Sequence, residues 1–325
     1  MLGKKAIALA LLAFFFCTGA AVLPAGAAAP PMRMGYLQSD LHQLAAFVAL
    51  QKGFYKKEGL EVKVGGIFKA GPEEMTAFAS GALDVGYVGA APAVVAVANK
   101  VAQVKIVAQV NLEGSAIVVG ENSPIKALPD LAGKTVAVPG YGQVQDFLLR
   151  LALDKNKISQ KAVNSIIIKP PEMIPTLRDG QIDAFVAWEP YPAKAVTLKV
   201  GRVLTYSGAI WPKHPCCVVA VAESFAQKYP EAVVRFVRAH LKATQYIKEN
   251  PQEAIKLAQQ FTGMDESTVS LGLKSLAYEY VINKKGILEY ATFLTKLGII
   301  KAGDPVKFVD SLTDETVVTR ALKNK

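Results

Sequence analysis

One local design occurs twice in this chain, about a hundred residues apart, and it restricts the fold more than any single motif. The first copy, Phe78-Ala79-Ser80-Gly81-Ala82-Leu83-Asp84-Val85-Gly86-Tyr87-Val88, runs on to Pro92. The second, Leu177-Arg178-Asp179-Gly180-Gln181-Ile182-Asp183-Ala184-Phe185-Val186-Ala187-Trp188, runs on to Pro190. Each predicts a helix end, a Gly free to take a left-handed cap, an Asp opening a short apolar strand, and a Pro starting the next helix. Two copies predict two similar α/β lobes. Ligands of open α/β sheets bind beyond the carboxyl ends of the strands, so two lobes facing each other predict a clamp.

The amino terminus predicts export. Lys4 and Lys5 precede an apolar run from Ala6 to Phe16, and Ala25-Gly26-Ala27 offers the small residues a signal peptidase reads, which places cleavage near Ala27. Ala27-Ala28-Ala29 is a competing frame in which Pro30 would follow the cut. The apolar core is shorter than the roughly 20 residues of a membrane span. Lipid attachment at Cys17 is disfavoured by Phe14-Phe15-Phe16, which stand where small residues belong. About 300 residues remain, enough for two domains. Loss of Lys4 and Lys5, with no acids in that segment, lowers the formal charge from +10 to +8. That excess suits an anionic ligand or surface, but no run of Lys or Arg interleaved with aromatics points to nucleic acid.

Strands are expected at 32–37, 60–67, 85–88, 104–110 and 116–119, alternating with helices at 41–52, 72–80 and 91–98, as in a mostly parallel sheet. A turn-rich crossing at Glu121-Asn122-Ser123-Pro124 opens a second series: strands 135–138, 165–169, 184–187 and 202–204, with a helix through Asp154. Cys216–Ala222 reads as an apolar strand carrying the chain back. Helices follow, from a capping box at Ser224 and Gln227, from Pro230 through Lys248, from Pro251, over 265–282, and over 288–297 before Gly298. This tail is expected to pack on the first lobe.

Five stretches offer chemistry. Gln38-Ser39-Asp40-Leu41-His42 stands where a first strand meets a helix, whose free amides and dipole favour an anion; the bland alternative is a helix cap by Ser39 or Asp40. Gly89-Ala90-Ala91-Pro92 lets backbone amides approach a ligand closely, or merely packs helix on sheet. Gly140-Tyr141-Gly142-Gln143-Val144-Gln145 departs from the dinucleotide fingerprint at Gln145 and has no acid placed for a ribose, yet Tyr141, Gly142 and Gln143 could meet a ligand. Trp188-Glu189-Pro190 could wall a pocket and offer an indole N–H. In Trp211-Pro212-Lys213-His214-Pro215-Cys216-Cys217, strand alternation sends Cys216 and Cys217 to opposite faces. Two adjacent Cys and one His are too few and too close for a convincing zinc site, and a vicinal disulfide would need an irregular strand. No G-x-S-x-G, H-E-x-x-H or paired carboxylates appear, and His42, His214 and His240 are dispersed, so no catalysis is expected.

Gly35-Tyr36-Leu37, Phe54-Tyr55-Lys56-Lys57-Glu58-Gly59-Leu60, Gly81-Ala82-Leu83-Asp84-Val85-Gly86, Leu131-Ala132-Gly133-Lys134-Thr135-Val136, Trp188-Glu189-Pro190 and His214-Pro215-Cys216-Cys217 together resemble the periplasmic substrate-binding proteins of ABC importers, in the branch serving nitrate, taurine, alkanesulfonates and thiamine precursors. The resemblance implies an α/β, two-lobed periplasmic-binding-protein type II fold with a two-stranded hinge. It implies a signal peptide at 1–27, lobe 1 at 28–120 and 218–325, and lobe 2 at 121–217. The implied ligand contacts are Gln38, Ser39, Asp40, His42, Gly89, Ala90, Ala91, Tyr141, Gly142, Gln143, Trp188, Glu189, His214 and Cys216. The implied function is capture of a small anionic, nitrogen- or sulfur-containing solute by hinge closure. The implied partners are an inner-membrane ABC permease and ATPase, with no cofactor, metal or nucleic acid, in a periplasmic monomer. No Arg falls in these loops, where a sulfonate binder is expected to present one. Two alternatives stay open: a thiamine-precursor binder or a cysteine-dependent pyrimidine-synthesising enzyme on the same fold, and a sensing module that signals to a membrane receptor. The paired Cys differ from the triple-Cys motif of the pyrimidine-synthesising relatives.

Overall fold

The computed structural model describes residues 30–323. The expected signal peptide at 1–27, with Cys17, lies outside the described residues. Among these, no helix is long and apolar enough to cross a membrane.

Strands β1 (Met32–Leu37), β2 (Val62–Phe68), β3 (Val85–Gly89) and β4 (Val104–Gln109) alternate with helices Leu44–Gln51, Gly71–Ala79 and Ala90–Ala98. After the short β5 (Asn111–Glu113) come β6 (Ser115–Gly120), β7 (Thr135–Val138), β8 (Asn164–Ile167), β9 (Ala184–Trp188) and β10 (Gly201–Tyr206). Then β11 (Cys217–Ala222) returns, and β12 (Leu276–Tyr278) interrupts the helical tail. The first sheet has the order β2-β1-β3-β11-β4, and the second β8-β7-β9-β6-β10. The two are the same sheet in different numbers. Three strands are parallel in each, then one antiparallel strand separates them from an edge strand. That antiparallel strand is always a crossing strand, β6 entering the second sheet and β11 re-entering the first.

The repeated segments explain the match. Gly81 and Gly180 take φ of 72° and 69°, ending their helices in the left-handed region. Asp84 Oδ2 accepts the Arg33 N–H of β1 at 2.8 Å, and Asp183 Oδ2 accepts the Thr135 N–H of β7 at the same distance. Each Asp also donates its own N–H to the carbonyl of that residue, at 2.9 Å in both lobes. So one carboxylate sets the register of two neighbouring strands. β3 and β9, each between a parallel and an antiparallel neighbour at the centre of its sheet, are buried throughout.

Three expectations change. The boundary anticipated at 120/121 moves back, because β6 pairs with β9 and β10 in the second sheet; the chain crosses at Glu113-Gly114-Ser115. The return runs beside it: Glu113 N–H donates to the His214 carbonyl at 3.1 Å, and Cys216 N–H to the Asn111 carbonyl at 3.1 Å. The expected helix over 265–282 is helical only at Glu266–Gly272 before a short 3-10 turn and β12, which pairs with β5. At Ser224 no capping box forms, because the helix already begins at Glu223 and places the hydroxyl inside its first turn. Helix Pro230–Glu249 packs on the first lobe through Phe236, which stacks on Tyr55 at 4.8 Å.

Candidate functional site

The carboxyl ends of both sheets meet at a small cavity lined by Leu37, Asp40, His42, Gly89, Pro92, Cys216 and Cys217 from the first lobe and by Gln143, Val144, Gln145 and Trp188 from the second. Its volume is about 10 Å³. That holds about one water.

The first-lobe wall is a cluster around His42. A carbonyl can only accept, so the 2.7 Å contact from His42 Nε2 to the Gly114 oxygen fixes the proton on Nε2. Nδ1 therefore faces Cys216 Sγ at 3.2 Å, Cys217 Sγ at 3.8 Å and Asp40 Oδ1 at 3.6 Å. Asp40 lies next to the imidazole because its Oδ1 caps the turn, accepting the His42 N–H at 3.0 Å. Burial pulls the His42 pKa down, but the Cys216 and Asp40 charges outweigh it and hold it raised, at about 10. Burial pushes Asp40 up to about 7. Burial also opposes ionisation of Cys216, but hydrogen bonding from Cys217 and the facing imidazole hold that thiol well below the usual range, while burial drives Cys217 well above it. The cluster thus presents an imidazolium against a Cys216 thiolate.

The second lobe presents neutral donors. Gln143 Nε2 and Trp188 Nε1 are buried without a hydrogen-bond partner among the described residues. Gln145 Nε2 is already given to Ser115 Oγ at 3.0 Å. Buried N–H groups left unpaired destabilise by about 1–3 kcal/mol each, so Gln143 and Trp188 are held ready for an acceptor.

Several expected contacts lie elsewhere. The amides of the first turn are not free for an anion: Leu41 N–H donates to the Glu189 carbonyl at 3.0 Å, His42 N–H to Asp40, and Gln43 N–H to the Asp40 carbonyl at 3.0 Å. Gln38 is exposed, and Ser39 Oγ donates to the Thr262 carbonyl at 3.1 Å. Ala90 N–H is spent on the Cys216 carbonyl at 2.7 Å, and Ala91, though buried, does not line the cavity. Tyr141 is 52 % exposed and points away, its hydroxyl donating to the Ser165 carbonyl. The Gly142 amide donates to Asp146 Oδ2 at 2.9 Å. Glu189 sits behind the cavity, accepting from Ala193 N–H and Ser275 Oγ, with burial raising it to about 7. His214 stacks on Trp211, 5.5 Å between ring centres, away from the lining. Gly89, Gln143, Trp188, Asp40, His42 and Cys216 do converge.

The expectation that the two thiols diverge is overturned. Cys216 precedes β11, so strand alternation does not govern it, and both sulfurs turn toward His42. Both cysteines are free thiols. Sequence reading also missed Gln43, whose Oε1 accepts the Leu37 N–H at 2.7 Å and so turns Nε2 toward Cys217 Sγ at 3.7 Å. It missed Glu74 as well, buried beside Gly35 and Gly86 with neither oxygen partnered among the described residues, its pKa driven well up by burial. A charged residue inside a helix gives no signal of this in one sequence.

Residues 25–262 match the family model described as the NMT1-like family. A putative binding protein of Brucella abortus (strain 2308) is 30% identical over 248 residues, 75% of this chain and 76% of that one. A putative aliphatic sulfonates-binding protein of Bacillus subtilis (strain 168) is 28% identical over 301 residues, 90% of this chain and 88% of that one. Among solved structures, the periplasmic nitrate-binding protein of Synechocystis PCC 6803 superposes with a TM-score of 0.81 at 18% identity, covering 90% of this chain and 88% of that chain. The last likeness shows a shared two-lobed fold of the periplasmic-binding-protein type.

Proposed function

We propose a function from one premise: this chain belongs to the NMT1-like family. On that premise it is the periplasmic solute-binding protein of an ABC uptake system, not an enzyme. It is exported with removal of residues 1–27, and it delivers its solute to a membrane permease and ATPase. Lobe 1 comprises the first sheet and the helical tail, and lobe 2 the second sheet. The solute is a small oxyanion containing nitrogen or sulfur. The observation that carries this is the pair of unpartnered donors, Gln143 Nε2 and Trp188 Nε1, facing the His42 imidazolium across the cavity. An oxyanion would accept from both donors and be balanced by the imidazolium, joining the lobes and favouring the shut form. The cavity is smaller than any such solute, so the lobes must part to admit it. Relatives named for sulfonates and nitrate favour this over a pyrimidine ligand.

Isothermal titration of nitrate, taurine, alkanesulfonates, bicarbonate and pyrimidines tests the reading. One oxyanion is expected to bind at 1:1 and to quench Trp188 fluorescence. Binding of uncharged or cationic solutes alone would reject it. The Cys216–His42 contact supports a second reading, a cysteine-dependent enzyme. Solute binding and transport that survive Cys216→Ser and Cys217→Ser together would dispose of that reading.

A further inference from the structure

We propose that His42, Cys216, Cys217 and Asp40 form a site for one zinc-class divalent ion, a capacity separate from solute capture. The first argument is geometric. His42 Nδ1 and the two Sγ atoms lie within 4.8 Å of one another. The imidazole nitrogen stands 3.2 and 3.8 Å from the sulfurs and 3.6 Å from Asp40 Oδ1, and Cys217 Sγ is 4.0 Å from Asp40 Oδ2. Four tetrahedral bonds of about 2.0–2.3 Å separate their donor atoms by roughly 3.3–3.8 Å. His42 Nδ1 and the two sulfurs therefore supply three neighbouring corners of a zinc-sized tetrahedron, and Asp40 would have to turn toward Cys216 to supply the fourth.

The second argument lies in what surrounds them. A metal-bound imidazole is oriented by giving its other N–H to a carbonyl or carboxylate. His42 does this through Nε2 and the Gly114 oxygen, which leaves Nδ1 to give up its proton and ligate. Gln43 directs its amide N–H toward Cys217 Sγ, the placement that stabilises a metal-bound thiolate. All four donor residues are buried, and all line the same small cavity, whose volume suits an ion.

The donor chemistry and topology then select the ion. Two sulfurs, one imidazole and one carboxylate fit zinc and its analogues and are poor for magnesium or calcium. Each donor comes from the first lobe, after β1 or at the start of β11, so parting of the lobes would expose the site without pulling the set apart. Gln143 and Trp188 from the other lobe cannot ligate through their N–H groups. Binding releases two protons to solvent, one from His42 Nδ1 and one from the Cys217 thiol.

The test is titration of Co2+ alone into the processed chain, purified reduced, chelator-stripped and without residues 1–27. The expected result is a thiolate-to-cobalt charge-transfer band with the visible bands of a tetrahedral ion, saturating at one equivalent and abolished by Zn2+. Cys216→Ser, Cys217→Ser and His42→Ala are each expected to weaken binding by more than about 100-fold, and Gln43→Leu by about 10-fold. X-ray absorption at the zinc edge on the unmodified chain, which needs no variant to fold, is expected to show two sulfur and two lighter neighbours. A spectrum without sulfur, a stoichiometry other than one, or a charge-transfer band that survives loss of both cysteines would overturn the proposal.

Discussion

The ends of β3 and β9 are built to one plan and loaded differently. Both strands are buried, open with an Asp that clamps a parallel neighbour, and follow a left-handed Gly. β3 ends on Gly89 and runs into Ala90, small residues that leave the wall to their neighbours. β9 ends on Trp188 and runs into Glu189, a large ring and a buried acid. What repeats is framework, and chemistry enters where the repeat breaks. The same division holds for buried titratable groups. The first lobe hides His240, bonded to Tyr87 and to the Gln109 carbonyl and held down to about 4 by burial. The second hides Glu189, held up at about 7 by burial.

The largest expected effect sharpens that last contrast. A histidine lowered from 6.5 to about 4 must charge on unfolding, so its contribution, about 3 kcal/mol, is present above pH 6.5 and lost as pH falls toward 4. A glutamate raised from 4.5 to about 7 works the other way: about 3 kcal/mol is present below pH 4.5 and lost as pH rises through 7. Urea unfolding across pH 4–8 should therefore show the acid arm flattened by His240→Gln and the alkaline arm by Glu189→Gln. Each variant altering the other's arm would break the comparison.

Next in size are the shared clamps. Asp84→Ala and Asp183→Ala each remove a charged acceptor from a strand N–H and should destabilise by about 1–3 kcal/mol. Asp84 also pairs with Arg33, but that side chain is half exposed, so the difference between the variants should stay under about 1 kcal/mol. Denaturant midpoints measured side by side check it. The unlike loops should instead diverge in solute affinity. Trp188→Phe keeps an aromatic ring and loses the N–H, and should weaken solute binding roughly tenfold, about 1.4 kcal/mol, beyond any loss in stability read separately from the melting temperature. Gly89→Ala places a methyl 3.2 Å from Val144 of the other lobe and should weaken closure, seen by small-angle scattering as a larger radius with solute present. The smallest expected effect is the equal cost of Gly81→Ala and Gly180→Ala, about 1 kcal/mol each. Both have φ near +70° and nothing within 4 Å of the added methyl, so backbone strain alone acts.

The framework was largely legible in the sequence because short-range signals set it. The expected bounds of β1 and β7 match the observed strands, and Gly298 caps its helix at φ 71° as read. Long-range choices were not legible. Leu276–Tyr278 has no intrinsic reason to leave a helix, and becomes a strand because β5 offers an open edge. Tyr141 reads as a pocket wall by composition, yet swings to the Ser165 carbonyl, a partner chosen by the fold. Of the site, the loops were found but not the directions of their side chains. The convergence of Cys216, Cys217 and Asp40 on His42 depends on β11 lying beside β3, a neighbour 128 residues away in the register pair Cys217 and Gly89.

One oxygen carries a consequence for how the jaws could be watched. The Gly114 carbonyl accepts both the His42 ring N–H at 2.7 Å and the Glu189 backbone N–H at 2.9 Å, one from each half of the molecule. If the halves rotate apart, that oxygen loses a donor and its stretching frequency rises. A single heavy-carbon label at Gly114 would then act as an internal strain gauge, reporting each bite in the infrared without a dye attached anywhere.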